Sequence, residues 1–288
     1  MPIPIPEAIE ESADLARSKA EQLRREPLGY LLSALMAGAF VGVAVVLLAA
    51  VAGPLFVATS PVTKLVSGVV FGIALTLVVF AGSSLFTGEV MWMLQGLVNR
   101  GCTVVDLVGV WIASLVGNLV GSAGFAWLVH QAGSLAIGPR PGRPGPADLL
   151  IANLAAGKIH ATGSQLFFRS VLCNMLVCLA LWMAARTRSD AAKLVVLWWC
   201  LFAFVAAGFE HSVANMTIFS LAVLDHAATW SDLWRNLLFT VPGNVVGGGV
   251  LVGLVYAYLG RRAAAPTPVP AGAPMPRAAL APTEMVTR

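Results

Sequence analysis

The sequence predicts an all-α membrane protein of six transmembrane helices, arranged as two inverted three-helix repeats whose second and fifth spans are broken. Composition, charge placement and an internal repeat all point to it. Of the 288 residues, 58% are hydrophobic and 11% charged, with mean hydropathy +0.83, whereas a soluble domain is roughly 45 to 50% apolar and about 25% charged. Among 18 Lys and Arg and 14 Asp and Glu, 15 lie in residues 1–27 and 261–288. The chain between those ends is a membrane domain. A net charge of +4 and a pI near 9.1 do not make it a nucleic-acid binder. The Lys and Arg sit between apolar runs rather than in one stripe, as membrane topology requires.

Residues 1–27 carry Ile9, Ala13, Ala16, Ala20 and Leu23 at helical spacing with charges between them, which predicts an amphipathic helix along the cytoplasmic surface. Acid and base are mixed there, with no short apolar core and no cleavage site, so the segment is not a secretory signal. Uncharged runs at 28–63, 65–88, 107–129, 170–185, 194–209 and 236–260 then read as six spans, a channel domain over 28–260. Two stretches are too long for simple helices. Residues 62–99 and 191–224 would run roughly 57 and 51 Å at about 1.5 Å per residue, against a hydrocarbon core of about 30 Å. Gly82, Ser83, Ser84 and Gly88 mark the break in the first, and Gly208, Glu210, His211, Ser212 and Asn215 in the second. Open backbone at that depth is tolerable only where protein buries it or a watery cavity borders it.

The repeat favours a break over a long tilted helix or a hairpin. AGSSLFTGEV from Ala81 and AAGFEHSVANM from Ala206 align Ala81 with Ala207 and Gly82 with Gly208, and GNLVGS from Gly117 and GNVVGGG from Gly243 fall at the same offset of 126. A unit of three crossings reverses direction when repeated. The two broken spans therefore meet near the midplane, where half-helix ends can hold an ion or polar solute. Arg17, Lys19, Arg24, Arg25, Arg100, Arg186, Arg188, Lys193, Arg261, Arg262, Arg277 and Arg288 fall on one side. Lys64, Arg140, Arg143, Lys158, Arg169 and Arg235 fall on the other, so both termini should be cytoplasmic and 131–148 an external loop. The tail, 261–288, is rich in Ala and Pro and should be disordered. Cys102, Cys173, Cys178 and Cys200 lack metal-type spacing, so neither a disulfide nor a metal site is expected.

Glu210 and His211 are the ionisable positions of the second broken span, and an intramembrane ionisable group marks function by default. An imidazole can take or give a proton as an anion arrives. Glu210, pointing elsewhere on any helical turn, is expected to cap freed amides. In the first break, Thr87 offers a donor and an acceptor without charge, or equally an N-cap for the half-helix that follows. Glu89 comes soon after, towards a cytoplasmic vestibule. Asn118 and Asn244 are repeat-related, and such amides, like Asn174 in CNMLVC, more often join helices than bind solute. Lys158 reads as a loop lysine before the fourth span.

Together GFEHSVANM, SSLFTGEV, CNMLVCLALWM and GNVVGGG, in order over 28–258, resemble the formate/nitrite transporter family. The runs WWCLFAFVAAGFEHSVANMTIF and FFRSVLCNMLVCLALWMAART are most similar to its nitrite-channel branch. The resemblance implies an aquaporin-like protomer in a homopentamer at the inner membrane, one pore per protomer, conducting nitrite or another small anion without a cofactor. It matches the central histidine to His211, the threonine of the broken second span to Thr87, and the vestibular lysine to Lys158. Pore-side asparagines match Asn174 and Asn244, and constrictions match Phe71, Leu75 and Phe204, with Leu85 and Phe86 on the broken span. Glu89 departs from the pattern, which has a small or polar residue there. The anion would then pass a charged His211, or take a proton and cross as the neutral acid. A water- or glycerol-type facilitator would need Asn-Pro-Ala at both breaks, and neither has it. A membrane enzyme would need a metal-spaced cluster or nucleophile elbow, also absent. Formate, hydrosulfide and lactate are the alternative solutes.

Overall fold

The computed structural model describes residues 1–136 and 144–264. Residues 137–143 of the expected external loop and nearly all of the expected disordered tail lie outside them. The described chain is all-helical. The amphipathic helix α1 (Ile5–Arg25) starts after Pro4, carries Glu7 in its first turn and ends on Arg24 and Arg25, charges that match the helix dipole at each end. It buries Ala8, Ile9, Ser12, Ala13, Ala16 and Ala20, a face of small residues that lets another backbone approach closely. Its start is pinned by mutual hydrogen bonds between Ile3 and Arg186, 2.8 and 2.9 Å long. Its end is held by an Arg24–Asp106 ion pair of 2.9 Å.

Next come α2 (Pro27–Val57), α3 (Thr63–Phe71), α4 (Ile73–Phe80), α5 (Phe86–Val98) and α6 (Val104–Gln131). A second series follows: α7 (Pro146–His160), α8 (Gly163–Ala185), α9 (Asp190–Ala207), α10 (Ser212–Leu224), α11 (Trp230–Asn244), a π-helix (Val245–Leu254) and α12 (Val255–Ala264). Among the described residues six stretches are long and apolar enough to cross a membrane: α2, α3 with α4, α6, α8, α9, and α11 running through the π-helix into α12. Starts are written in the sequence: Thr103 with Asp106, Thr162 with Gln165 and Thr229 with Asp232 form capping boxes at α6, α8 and α11. Helix α7 corrects the reading of Lys158 as a loop lysine, since Pro146 opens it and Asp148 accepts the Gly145 amide at 3.0 Å.

Glycine sets how closely the long helices approach. A Cβ at Gly121 of α6 would stand 1.9 Å from the Leu35 carbonyl of α2, and one at Gly38 of α2 would stand 2.1 Å from the Asn118 carbonyl. Backbone packs directly on backbone there, as small-residue membrane interfaces allow.

Both long apolar stretches are broken where expected. Helix α4 gives way at Gly82 (φ +73°) and α9 at Gly208 (φ +74°), in the left-handed region that glycine enters without penalty. The chain then runs extended through Leu85 and through His211 before α5 and α10 begin. Gly82 and Gly208, like Leu85 and His211, stand at the repeat offset.

Candidate functional site

The two breaks share one bonding scheme. Helix α5 opens with the amide of Phe86 donating to Asn118 Oδ1 at 2.9 Å, and α10 with the amide of Ser212 donating to Asn244 Oδ1 at 3.0 Å. Asn118 Nδ2 returns to the carbonyls of Ala34 and Ser84 at 2.7 and 3.0 Å. Asn244 Nδ2 returns to those of Ser170 and Glu210 at 2.8 and 3.2 Å. The Ser84 amide reaches Ser33 O at 3.4 Å and the Glu210 amide reaches Arg169 O at 3.3 Å. Each asparagine thus ties a break to an intact helix. Its Oδ1 takes the first amide of the half-helix, and its Nδ2 joins a carbonyl of the break, Ser84 or Glu210, to one inside a neighbouring helix, Ala34 of α2 or Ser170 of α8, in a setting where lipid offers no partner.

His211 stands at the centre. Its Nδ1 accepts the amide of Ala214 at 3.1 Å, capping α10, and its Nε2 lies 3.1 Å from Thr87 Oγ1. With Nδ1 occupied as an acceptor, the neutral ring carries its proton on Nε2 and donates to Thr87, an assignment made from this network. The Thr87 hydroxyl keeps its own proton to offer elsewhere. Behind Thr87, its carbonyl accepts from Asn174 Nδ2 at 3.1 Å and from the Cys178 thiol at 3.2 Å. The Phe204 ring is nearly parallel to the imidazole, with centroids 5.9 Å apart, and meets Phe71 edge to face at 5.7 Å.

Three cavities follow one another through this region. A cavity of about 370 Å³ on the α1 side is bordered by Lys19, Leu85, Glu89, Trp92 and Lys193. One of about 440 Å³ on the α7 side is bordered by Lys64, Lys158, Arg169, Glu210, Asn215 and His211. Between them lies a chamber of about 10 Å³ lined by Val41, Ala74, Leu75, Val177 and Leu201. It shares Leu85 with the first cavity and Phe71, Phe204 and His211 with the second. It admits about one water-sized sphere, so a solute crossing it must shed its hydration shell.

A lysine and a carboxylate stand at each mouth. Lys158 Nζ donates to Glu210 Oε2 at 2.8 Å, and Asn215 Nδ2 donates to the same oxygen at 2.7 Å. Lys19 Nζ donates to Ser84 Oγ at 2.7 Å and to Glu89 Oε1 at 2.9 Å. Glu210 therefore caps no amide, contrary to expectation. That task falls to Asn244 and His211, because the carboxylate is already held by an ammonium. Thr87 is likewise no N-cap, since its hydroxyl faces the imidazole. Of the expected pore residues, His211, Lys158, Glu210, Phe71, Leu75, Phe204 and Leu85 border the three cavities. Thr87, Asn174, Asn244 and Phe86 border none of them; the side-chain amide of Asn244 and the Nδ2 of Asn174 go to backbone, while Asn174 Oδ1 is buried without a partner. Lys19, Asn215, Lys64 and Arg169 were not anticipated at the mouths. Arg169 and Lys64 carried a signal as span-flanking cations, but Lys19 is one charge among many in the N-terminal segment.

The formate/nitrite transporter family model matches residues 6–258. The nitrite transporter NirC of Salmonella typhimurium is 39% identical over 265 residues, covering 89% of this chain and 91% of that protein. A solved FNT family ion channel superposes with a TM-score of 0.80 at 38% identity over 88% of this chain and 98% of its own. A pentameric formate channel with formate bound gives 0.66 at 28% identity over 81% and 96%. With the family model covering nearly the whole membrane domain, and relatives of this identity matched over most of their length, the chain belongs to the formate/nitrite transporter family.

Proposed function

We propose that the chain carries a small monovalent anion, nitrite foremost, through a pore in each protomer of a homopentamer in the inner membrane. Both termini are cytoplasmic, and His211 couples passage to a proton. Two halves of inverted direction supply one broken span each. The observation that carries this reading is the file of three cavities, the chamber meeting the outer two at Leu85 and at His211, fronted at either end by a half-buried lysine. Each ammonium attracts an anion, the half-helix ends of α5 and α10 add partial positive charge, and the chamber between is too narrow for a hydrated ion. The solute then meets the hydroxyl of Thr87 and the ring of His211. Nitrite follows from the name of the NirC relative, and formate is the second reading, from the formate-bound neighbour.

Reconstituted in liposomes, the purified chain should pass nitrite faster than formate, with flux rising as external pH falls from about 8 to 5, the span over which histidines titrate. His211→Asn should abolish that pH dependence. An unchanged pH profile in the variant would reject a proton role for the ring, and faster formate flux would make formate the solute.

A further inference from the structure

We propose that Glu89 is the proton acceptor of the cytoplasmic mouth. A solute arriving through the chamber as the neutral acid gives its proton to Glu89 Oε2, and that transfer frees Lys19 to hold the resulting anion. The inference rests on the conduction reading above.

Position by position, the two mouths are not equivalent. At the repeat offset of 126, Ser84 corresponds to Glu210 and Glu89 to Asn215, so the acid and its neutral neighbour have changed places. Beside Lys158 the ammonium and the Asn215 amide share one acid oxygen, Glu210 Oε2, at 2.8 and 2.7 Å. Beside Lys19 the acid takes the ammonium alone. Glu89 Oε1 receives it at 2.9 Å, while Oε2 is buried with no partner in a residue that is 2% exposed and borders the 370 Å³ cavity. A buried carboxylate oxygen without a donor is costly, and an arriving O–H removes that cost.

The surroundings leave Glu89 dependent on Lys19. From α1 comes Lys19 itself, from α2 the Tyr30 ring, 6.0 Å from Lys19 Nζ, and from α9 Lys193 on the same cavity. From α8 come apolar Leu181, Ala184 and Ala185, and from α6 the Trp111 indole, donating to the Glu89 main-chain oxygen at 3.2 Å. The step balances without oxidant or reductant. The O–H bond of the acid breaks, its electron pair stays on the solute, and a new O–H bond forms at Oε2. Glu89 is then neutral, Lys19 has lost its counter-ion, and the ammonium pairs with the new anion. Loss of the proton to cytoplasmic water resets the pair, and the reverse order serves export.

The test is nitrite flux through the full-length chain in liposomes, with the pH of the cytoplasmic face varied. Glu89→Gln should lower flux by about a hundredfold at about pH 7 on that face, the scale of a lost proton-transfer group. For flux that starts from the cytoplasmic face, the reverse order, the deficit should close as that face is acidified, because bulk solution there then supplies about ten times more neutral acid per pH unit. The exchange variant Ser84→Glu with Glu89→Asn returns a counter-ion to Lys19 but removes the acceptor at 89, and it should stay slow at neutral pH. Should Glu89→Gln fail to fold, the exchange variant decides alone. Wild-type flux in either variant, or a Glu89→Gln deficit equal at every pH, would overturn the proposal and leave Glu89 a positioning residue for Lys19. A wild-type chain that passes neither nitrite nor formate defeats the conduction reading instead.

Discussion

Removing the ammonium of Lys158 would strand the Glu210 carboxylate, 5% exposed in its side chain, with Asn215 as its one remaining donor. Breaking a buried pair from one side costs about 3 to 5 kcal/mol, whereas removing both charges is often close to neutral. Lys158→Ala should therefore lower the melting temperature of the detergent-solubilised protein sharply, and adding Glu210→Gln should recover most of the loss. Equal destabilisation by the single and double variants would show that the pair does not bear on stability. At this scale the sequence was legible where a charge is out of place. Glu210 and His211 stand out because apolar residues surround them, and Thr87 because it sits in a break. The partners were not legible. Lys158 and Glu210 are 52 residues apart, Lys19 and Glu89 are 70 apart, and only the packing of α7 and α1 on the broken spans brings each pair together.

The broken helices owe their stability to two asparagines and two left-handed glycines. A Cβ at Gly82 or Gly208 would meet nothing within 4 Å, so substitution there tests conformation alone. Gly82→Ala and Gly208→Ala should each destabilise by about 1 to 2 kcal/mol, the cost of a left-handed residue with a side chain, read by thermal unfolding in detergent. A neutral result would mean that the breaks relax to another backbone path. Asn118→Ala should cost at least as much, since it leaves the buried Phe86 amide without an acceptor, about 1 to 3 kcal/mol for such a group. The breaks were legible because a helix of roughly 57 Å cannot fit a core of about 30 Å, and the offset of 126 marked both glycines and both asparagines. What the offset could not give is the asparagines' task. An amide in a Gly-rich span looks alike whether it faces a pore or a backbone, and only the third dimension assigns it. Helix α7 was missed because its sequence, short and following a Pro- and Gly-rich stretch, has neither the length nor the apolar run of a span.

Across the whole molecule, the narrow chamber sits inside one helical bundle, walled by Val41 of α2, Leu75 of α4, Val177 of α8 and Leu201 of α9, with Lys19 of α1 and Lys158 of α7 at the two mouths. Conduction should then be complete within each protomer, and assembly into a pentamer would multiply pores rather than build one. Much apolar surface does remain outward, as on α6, where Ile112, Val116 and Val120 are 50 to 58% exposed, and it is available to lipid or to neighbouring protomers. Mixed assemblies separate the two designs. Pentamers formed from wild-type and His211→Asn chains in known ratios, measured at low external pH, should show the pH-dependent component of flux falling in direct proportion to the variant fraction. A pore shared on the symmetry axis would instead lose it steeply, because one altered chain in five would disturb every pathway. Proportional loss, together with a native mass of five chains, is the result that a chamber walled by the helices of one bundle requires.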